Sequence, residues 1–381
     1  MNIVFVQAGL GAGGSEKIIN LLAHHFSGLG HDVTVLALTG DKAGSYFEYA
    51  SKIRVDCRNT GFGKESRAFR RLAEIRWLRN RFREAKADVV VSFLTKVNLL
   101  ASIAAAGTGI PLIAAERNNP IRQMAGSPWR HANALTALLA DRLVMQTGES
   151  VEMLSSRGRE KSMVIPNPCM LGAAITPNPE GPPAFVAVGR LDPQKGFDLL
   201  IESFGTVLSR LPEATLTIFG EGKERLHLER LVERLGLKGK VSLPGTTDKP
   251  GGWAGNGNIF VLSSRYEGFP NVLVEAMYAG YPVISFDCPW GPSEILTDAS
   301  SGILVPDRDT DALAEAMLRL GQSPEQRAAF AAAATATVSR FALPEVLEQW
   351  EKAILPAARQ RRARFSLSPG GRKAPLVRSD P

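Results

Sequence analysis

The chain has 381 residues, 44% apolar and 22% charged, with a formal charge of +7 at pH 7, which describes an ordinary soluble chain long enough for two domains. The positive excess is local, with nine basic and three acidic residues in 64–86 and seven basic and one acidic in 356–381, leaving the remainder acidic. That distribution points to a surface partner and away from general nucleic-acid binding. Cys57, Cys169 and Cys288 stand singly, without metal-ligand spacing, and fit buried thiols in a reducing compartment.

Met1 to Val6 carries no basic leader, so residues 2–7 read as a first strand of a cytoplasmic protein and not as a signal peptide. A glycine loop at 9–14, a helix at 15–29 capped by Ser15 and a strand at 32–38 open a doubly wound α/β domain. Gly9, Gly11 and Gly14 also meet the dinucleotide spacing, with Asp41 near the end of the second strand; alone this motif is weak. Residues 65–86 read as a helix whose Ala68, Leu72, Ile75, Leu78, Phe82 and Ala85 form the buried stripe. Phe69, Ala73 and Trp77 fall opposite, among Arg70, Arg76, Arg81 and Arg83. Arg70, Trp77 and Arg81 could meet an anionic lipid surface, or the face is solvated with Trp77 packed on a neighbouring loop. Val97 to Ala115 is charge-free over 19 residues, but Gly107 to Pro111 would break a spanning helix, so a buried helix and a strand are predicted. Strands at 88–93 and 111–115 place Thr95, Lys96 and Asn98, then Glu116, Arg117 and Asn118, at the carboxyl edge of a sheet, where open α/β folds hold ligands. A plain polar loop is the competing reading for 116–118.

Residues 172–183, rich in Ala, Pro and Gly, form the linker to a second α/β unit. Its first strand, 184–188, leads into a loop where Gly189-Arg190 and Lys195-Gly196 stand five residues apart, so a guanidinium and an ammonium can converge on one phosphate pair. Strands at 214–219 and 241–244 end in glycine-bearing loops. After a strand at 258–262 comes Glu267-Gly268-Phe269-Pro270-Asn271 and a helix. Gly268 lacks a Cβ and can approach a ligand, Pro270 sits where a helix start tolerates a missing N–H, and the first-turn amides of Asn271, Val272 and Leu273 would face the occupant. Such a backbone anion site suits a diphosphate. Flanked by Glu267 and Glu275, which would grip hydroxyls, it fits a ligand with phosphates in the middle and polyols at both ends, a nucleotide sugar. The competing reading is a plain turn before a helix. A strand at 282–286, a loop at 291–295, a helix from Asp311, a last helix over 344–364 and a disordered basic tail beyond Phe365 complete the chain.

Glu267-Gly268-Phe269-Pro270-Asn271 with Glu275-Ala276-Met277 resembles the signature of retaining family 4 glycosyltransferases of the GT-B fold. Gly13-Gly14-Ser15-Glu16-Lys17, Ile165-Pro166-Asn167, Gly189-Arg190-Leu191 with Lys195-Gly196, and Gly291-Pro292-Ser293-Glu294-Ile295 are similar to family segments in the same order. The resemblance implies an α/β GT-B protein of two Rossmann-like doubly wound domains facing across a cleft. An acceptor-side domain spans 1–171, a linker 172–183 and a nucleotide-sugar domain 184–340, while a helix over 341–364 crosses back to the first domain and a basic tail spans 365–381. It implies that Glu275 contacts the donor ribose, that Glu267 lies beside the transferred sugar, and that Arg190 and Lys195 hold the diphosphate beside Gly189 and the segment Gly268, Phe269, Pro270, Asn271, Val272 and Leu273. Arg190, Lys195 and Glu267 are the implied catalytic residues. Gly13 and Gly14 would admit donor phosphates or acceptor, and Glu116, Arg117 and Asn118 would contact acceptor or sugar. Many members place a His near this last loop, and none stands here.

The reaction so implied transfers a sugar with retention from a nucleotide sugar, UDP ahead of GDP, to a lipid-linked or oligosaccharide acceptor in polysaccharide or lipopolysaccharide synthesis. No cofactor and no obligate metal are expected, since cations and a helix terminus take the metal's place. The localisation is cytoplasmic, with peripheral attachment at the inner face of the cytoplasmic membrane through the basic helix and tail. Rival readings are an NAD-dependent oxidoreductase built on the Gly9–Gly14 spacing and a non-catalytic nucleotide-sugar-binding protein.

Overall fold

A computed structural model describes residues 1–41, 44–58, 66–117, 131–169, 171, 177–249, 251–297 and 299–366, and for Arg67 and 360–366 the backbone alone. Asn118, the start of the predicted basic helix at Lys64 and Glu65, residues 172–176 of the linker and the tail from 367 lie outside the described residues.

The first sheet contains β1 (Asn2–Gln7), β2 (Asp32–Ala37), β3 (Arg54–Cys57), β4 (Val89–Phe93), β5 (Leu112–Ala115), β6 (Arg142–Met145) and β7 (Ser162–Val164). Their order is β3-β2-β1-β4-β5-β6-β7 and every pairing is parallel. The second sheet contains β8 (Ala184–Val188), β9 (Thr215–Phe219), β10 (Val241–Gly245), β11 (Ile259–Leu262), β12 (Val283–Phe286) and β13 (Ile303–Val305). It repeats the same winding as β10-β9-β8-β11-β12-β13, again parallel. Ile3 to Val6 and Phe185 to Ala187 are fully buried, as parallel strands covered on both faces must be. In each sheet the chain reverses direction between the first and fourth strands, β1/β4 and β8/β11, and the loops leaving their carboxyl ends border a crevice.

Around the first sheet lie α1 (Gly14–Gly28), α2 (Arg67–Glu84), α3 (Thr95–Ala105), α4 (Ala132–Leu139), α5 (Gly148–Glu152) and α6 (Ser156–Lys161). Around the second lie α7 (Phe197–Arg210), α8 (Arg225–Arg234), α9 (Asn271–Tyr278), α10 (Pro292–Ile295), α11 (Thr310–Gln322) and α12 (Pro324–Thr337). The last helix, α13 (Leu343–Ser366), returns to the first domain. There Trp350 is fully buried and stacks on Phe93 at a centroid distance of 5.6 Å, and Ala353, Ile354 and Ala358 join the core of the first sheet. His25 Nε2 of α1 meets Glu351 Oε1 at 2.8 Å.

Several expectations need correction. Ser15 does not cap α1, because its hydroxyl donates to Glu16 Oε2 at 2.7 Å and Gly13 takes the cap position. On α2 the predicted stripe holds at Leu78 and Phe82 but fails at Ala68 and Leu72, which are exposed, while Glu74 is buried instead. Glu74 is drawn inward by Arg71 at 2.6 Å and Arg58 at 3.9 Å, so ion pairing overrides the apolar period there. Trp77 is half-buried and packs against the core of the first domain, with Arg81 at 5.8 Å from its ring, so it is not a bare lipid-facing indole. Arg81 pairs with Asp56 at 2.8 Å and with Glu84. Of the cysteines, Cys288 is buried, Cys57 and Cys169 are half-buried, and none of the three is in a disulfide.

Candidate active site

Both loops of the candidate site grow from the centre of the second sheet, after β8 and β11. Leaving β8, the chain runs through Gly189 and Arg190 into a short 3-10 turn over Pro193–Lys195, capped by Asp192, whose carboxylate accepts from Gln194 N at 3.1 Å. Gly196 closes the turn with a φ of 62°, and a Cβ there would stand 2.1 Å from Ser263 O, so only glycine lets the two loops touch. Ser263 Oγ donates to Lys195 O at 2.9 Å across that contact. A Cβ on Gly189 would meet the Lys195 stem at 3.1 to 3.2 Å, so the glycine forms the wall that guides this side chain.

Lys195 Nζ donates to Glu267 Oε1 at 2.6 Å, and the same oxygen accepts from Ser264 Oγ at 2.6 Å. The Lys195 and Glu267 side chains are 14% and 6% exposed, so a charged pair is held at the floor of the crevice. Arg190 differs: its side chain is 73% exposed, with Nη2 at 3.3 Å from Asp192 Oδ2 and 3.5 Å from Gln194 Oε1. It is therefore a long cation able to swing over whatever lies beside Lys195.

Beyond Glu267 the chain turns at Gly268, Phe269 and Pro270 into α9. Phe269 is buried, edge-on to Phe341 at 5.7 Å, and Leu273 is fully buried, so these side chains build the core. The predicted row of three free amides is reduced. Asn271 N donates to Phe269 O and Leu273 N to Pro270 O, each at 2.9 Å, because the tight turn folds its own carbonyls under the helix start. Val272 N is left without an acceptor among the described residues. Glu275, one turn on, is half-buried, and its carboxylate has neither a hydrogen-bond nor an ion-pair partner among the described residues. Burial holds its carboxyl above the usual glutamate range, while the positive charge of Lys17 on α1 acts in the opposite direction.

The first domain contributes differently from expectation. Gly13 caps α1 and Gly14 begins it, with the Glu16 carboxylate folded over the Cα of Gly13. Glu116 is buried and accepts from Thr95 Oγ1 at 2.6 Å and from Arg117 N at 3.1 Å. Arg117 turns into the protein, its guanidinium carbon 5.5 Å from the Phe93 ring and 5.3 Å from the Trp350 ring. Its Nη1 donates to Ile165 O at 3.2 Å and Asn167 Oδ1 at 2.9 Å, and burial lowers its pKa to about 9 against the pull of Glu116. Stacking between two aromatic rings offsets part of what this guanidinium loses on leaving solvent, and Arg117 so placed braces the returning helix through Trp350.

Contacts between the domains join residues whose partners the sequence does not announce. Asn167 Nδ2 donates to Asn271 Oδ1 at 2.8 Å. Glu294 accepts from Gly148 N and Glu149 N, both at 2.7 Å, at the start of α5, while Glu149 Oε2 accepts from Trp290 N at 2.7 Å. Each domain thus lends a carboxylate to the other's backbone. The 291–295 loop has its carboxylate occupied at this junction. The alternation Asp307, Asp309, Asp311, also missed, opens α11, where Asp309 Oδ1 accepts from Ala312 N at 2.9 Å. Among the described residues no group of three or more His, Cys, Asp or Glu is placed to hold a metal ion. Cavities of about 370 Å³ behind Tyr278 and about 410 Å³ at Gly107 share no residue with the two loops.

Two family models match the chain, one described as a glycosyl transferase 4-like domain over residues 13–168 and one as glycosyl transferases group 1 over residues 173–337. An exopolysaccharide phosphotransferase of Streptomyces coelicolor is 27% identical over 373 residues, covering 89% of this chain. The chain spans only 39% of that relative's length. An α-1,4-N-acetylgalactosaminyltransferase of Campylobacter jejuni, whose name gives an undecaprenol diphosphate-linked glycan, is 25% identical over 362 residues, covering 93% of this chain and 98% of the relative. The crystal structure of Anabaena HepE in complex with UDP matches the fold with a TM-score of 0.77 at 19% identity, covering 93% of this chain and all of that one.

Proposed function

For a chain that belongs to the group 1, family 4-like glycosyltransferases and has their GT-B architecture, we propose transfer of a sugar from a nucleoside diphosphate sugar to a glycan or lipid-linked acceptor, with retention of configuration. The observation that carries this reading is the pairing of buried Lys195 with Glu267 beside exposed Arg190, at the edge where Val272 N lacks an acceptor among the described residues. Arg190, Lys195 and the Val272 amide stabilise the charge that grows on the leaving diphosphate, Lys195 and the amide being in place before substrate arrives and Arg190 closing over it. Glu275, unpaired and half-buried, holds the ribose hydroxyls, and Glu267 faces the transferred sugar. The acceptor hydroxyl attacks the anomeric carbon on the face the diphosphate leaves, the bond to the phosphate oxygen breaks, and that oxygen takes the hydroxyl proton. No second carboxylate spaced for a water is called on, as it would be in an inverting glycosidase.

UDP is the favoured nucleotide, supported by the UDP in the Anabaena structure, and a lipid-linked acceptor is supported by the Campylobacter relative's name. No helix of the described residues is long and apolar enough to cross a membrane. We place attachment, if the acceptor is lipid-borne, at the exposed basic face of α2, where Phe69 and Leu72 are 56% and 44% exposed beside Arg70, Arg76 and Arg83. The test is calorimetric titration with a panel of nucleotide sugars and with NAD, followed by donor hydrolysis and transfer assays. Binding of a UDP-sugar with turnover is expected. NAD binding without nucleotide-sugar binding would replace the reading with an oxidoreductase, and binding without hydrolysis or transfer would leave a non-catalytic protein.

A further inference from the structure

A strong side-chain fork joins the two catalytic loops. Arg265 Nη1 donates to Asp198 Oδ1 at 2.8 Å and Nη2 donates to Asp198 Oδ2 at 2.6 Å, a two-pronged ion pair. Nη1 also donates to Pro193 O at 2.8 Å, and the Arg265 backbone N donates to Gln194 O at 2.8 Å. In return Gln194 Nε2 donates to Tyr266 O at 3.0 Å. All these bonds tie residues 193–198 to residues 265–266, and the two tied segments carry Lys195 on one side and lead into Glu267 on the other. Asp198 lies in the first turn of α7, where the helix dipole favours a carboxylate. Both side chains are largely shielded, at 23% and 32% exposure. Burial pushes the Asp198 carboxyl up, but the Arg265 bonds and charge outweigh it and leave it below its ordinary value.

We infer that Arg265, clamped on Asp198, is a positioning residue that fixes the Lys195 ammonium against Glu267 and hence against the donor diphosphate. This rests on the transferase reading above. Lys195 sits in a three-residue turn whose remaining ties, once the fork is lost, are the Asp192 cap, the Ser263 hydroxyl and the two Gln194 bonds to the backbone of Arg265 and Tyr266, so the fork is the tie that carries charge on both sides. A lysine at 265 keeps the charge but not the planar fork. Misplacing a catalytic cation by about 1 Å can cost on the order of a hundredfold in rate.

The test is a double-mutant cycle on the full-length protein, using Arg265→Lys and Lys195→Ala, with Asp198→Asn as a second route to the same break. Melting temperature and UDP-binding stoichiometry are measured on each variant so that rates refer to folded, binding-competent protein. Arg265→Lys is expected to lower kcat about tenfold or more while the donor KM changes much less, and to have almost no further effect when Lys195 is already alanine. Asp198→Asn should follow the same pattern. Equal losses in both backgrounds would make Arg265 merely structural and overturn the inference, as would an unchanged kcat in Arg265→Lys and Asp198→Asn. A wild-type protein that transfers no sugar from any donor removes the transferase reading itself, and the clamp's kinetic role with it.

Discussion

The Lys195 ammonium and the Glu267 carboxylate stand 72 residues apart in the chain and 2.6 Å apart in space. Because both are nearly buried, neither can be removed without consequence for the other. Lys195→Ala is expected to lower sugar transfer and donor hydrolysis by on the order of a hundredfold, the scale of one lost oxyanion-type donor. Steady-state rates near those of the wild type would take Lys195 out of the site.

Glu275 gives a prediction on pH. Its carboxyl is raised above the ordinary 4.5 by burial, with Lys17 opposing, so the folded state holds its proton more tightly than the unfolded state does. Its contribution to stability is complete below that ordinary value and is lost as pH climbs through the raised folded pKa. Glu275→Gln should therefore melt at a higher temperature than wild type at neutral pH, by a few degrees, and the gap should close in acid. The same variant should bind a UDP-sugar more weakly. A melting curve that shifts equally at every pH would show that the unpaired carboxylate is not the cause.

The exchange of carboxylates between domains predicts a mechanical effect. Glu294→Ala strips the acceptor from two backbone amides, each charge-assisted bond being worth about 1.5–3 kcal/mol. The domains should then uncouple, so that calorimetry resolves two unfolding steps in place of one and scattering reports a larger radius of gyration. A single unchanged transition and radius would assign the junction's stability to α13 and Trp350 alone.

Attachment through α2 is tested by reversing its exposed face. Arg70→Glu with Arg76→Glu and Phe69→Ser should reduce sedimentation with anionic phosphatidylglycerol vesicles several-fold and leave UDP-sugar binding unchanged, since none of the three lies on the catalytic loops. Equal sedimentation of the variant and the wild-type protein would leave only a solvated basic face.

Much of this molecule is readable from its residues. The β-branched runs ending in glycine loops announce both parallel sheets, and Val97 to Ala115 resolves, as its Gly-Pro break implies, into α3 and β5. The edge strand β3 is missed because Val55 is its one buried residue, among Arg54, Asp56 and Cys57, whereas the equally short β5, β11 and β12 are buried throughout. Glu267 and Lys195 are found because their segments carry distinctive spacing. Arg265 and Asp198 are not, because nothing local to either announces a partner 67 residues away. Arg117 is legible only in part for the opposite reason: it follows a strand at the ligand edge, but its surroundings are set by Trp350, which arrives from the far end of the chain. Long-range packing decides such residues, and periodicity is blind to it.

The most direct measurement is a crystal structure of the protein soaked with UDP. The diphosphate should lie within hydrogen-bond distance of Lys195 Nζ and Val272 N, with Arg190 folded over it and Glu275 on the ribose. A diphosphate bound instead at the Gly9–Gly14 loop, with Lys195 still closed on Glu267 and Arg190 extended into solvent, would contradict the site.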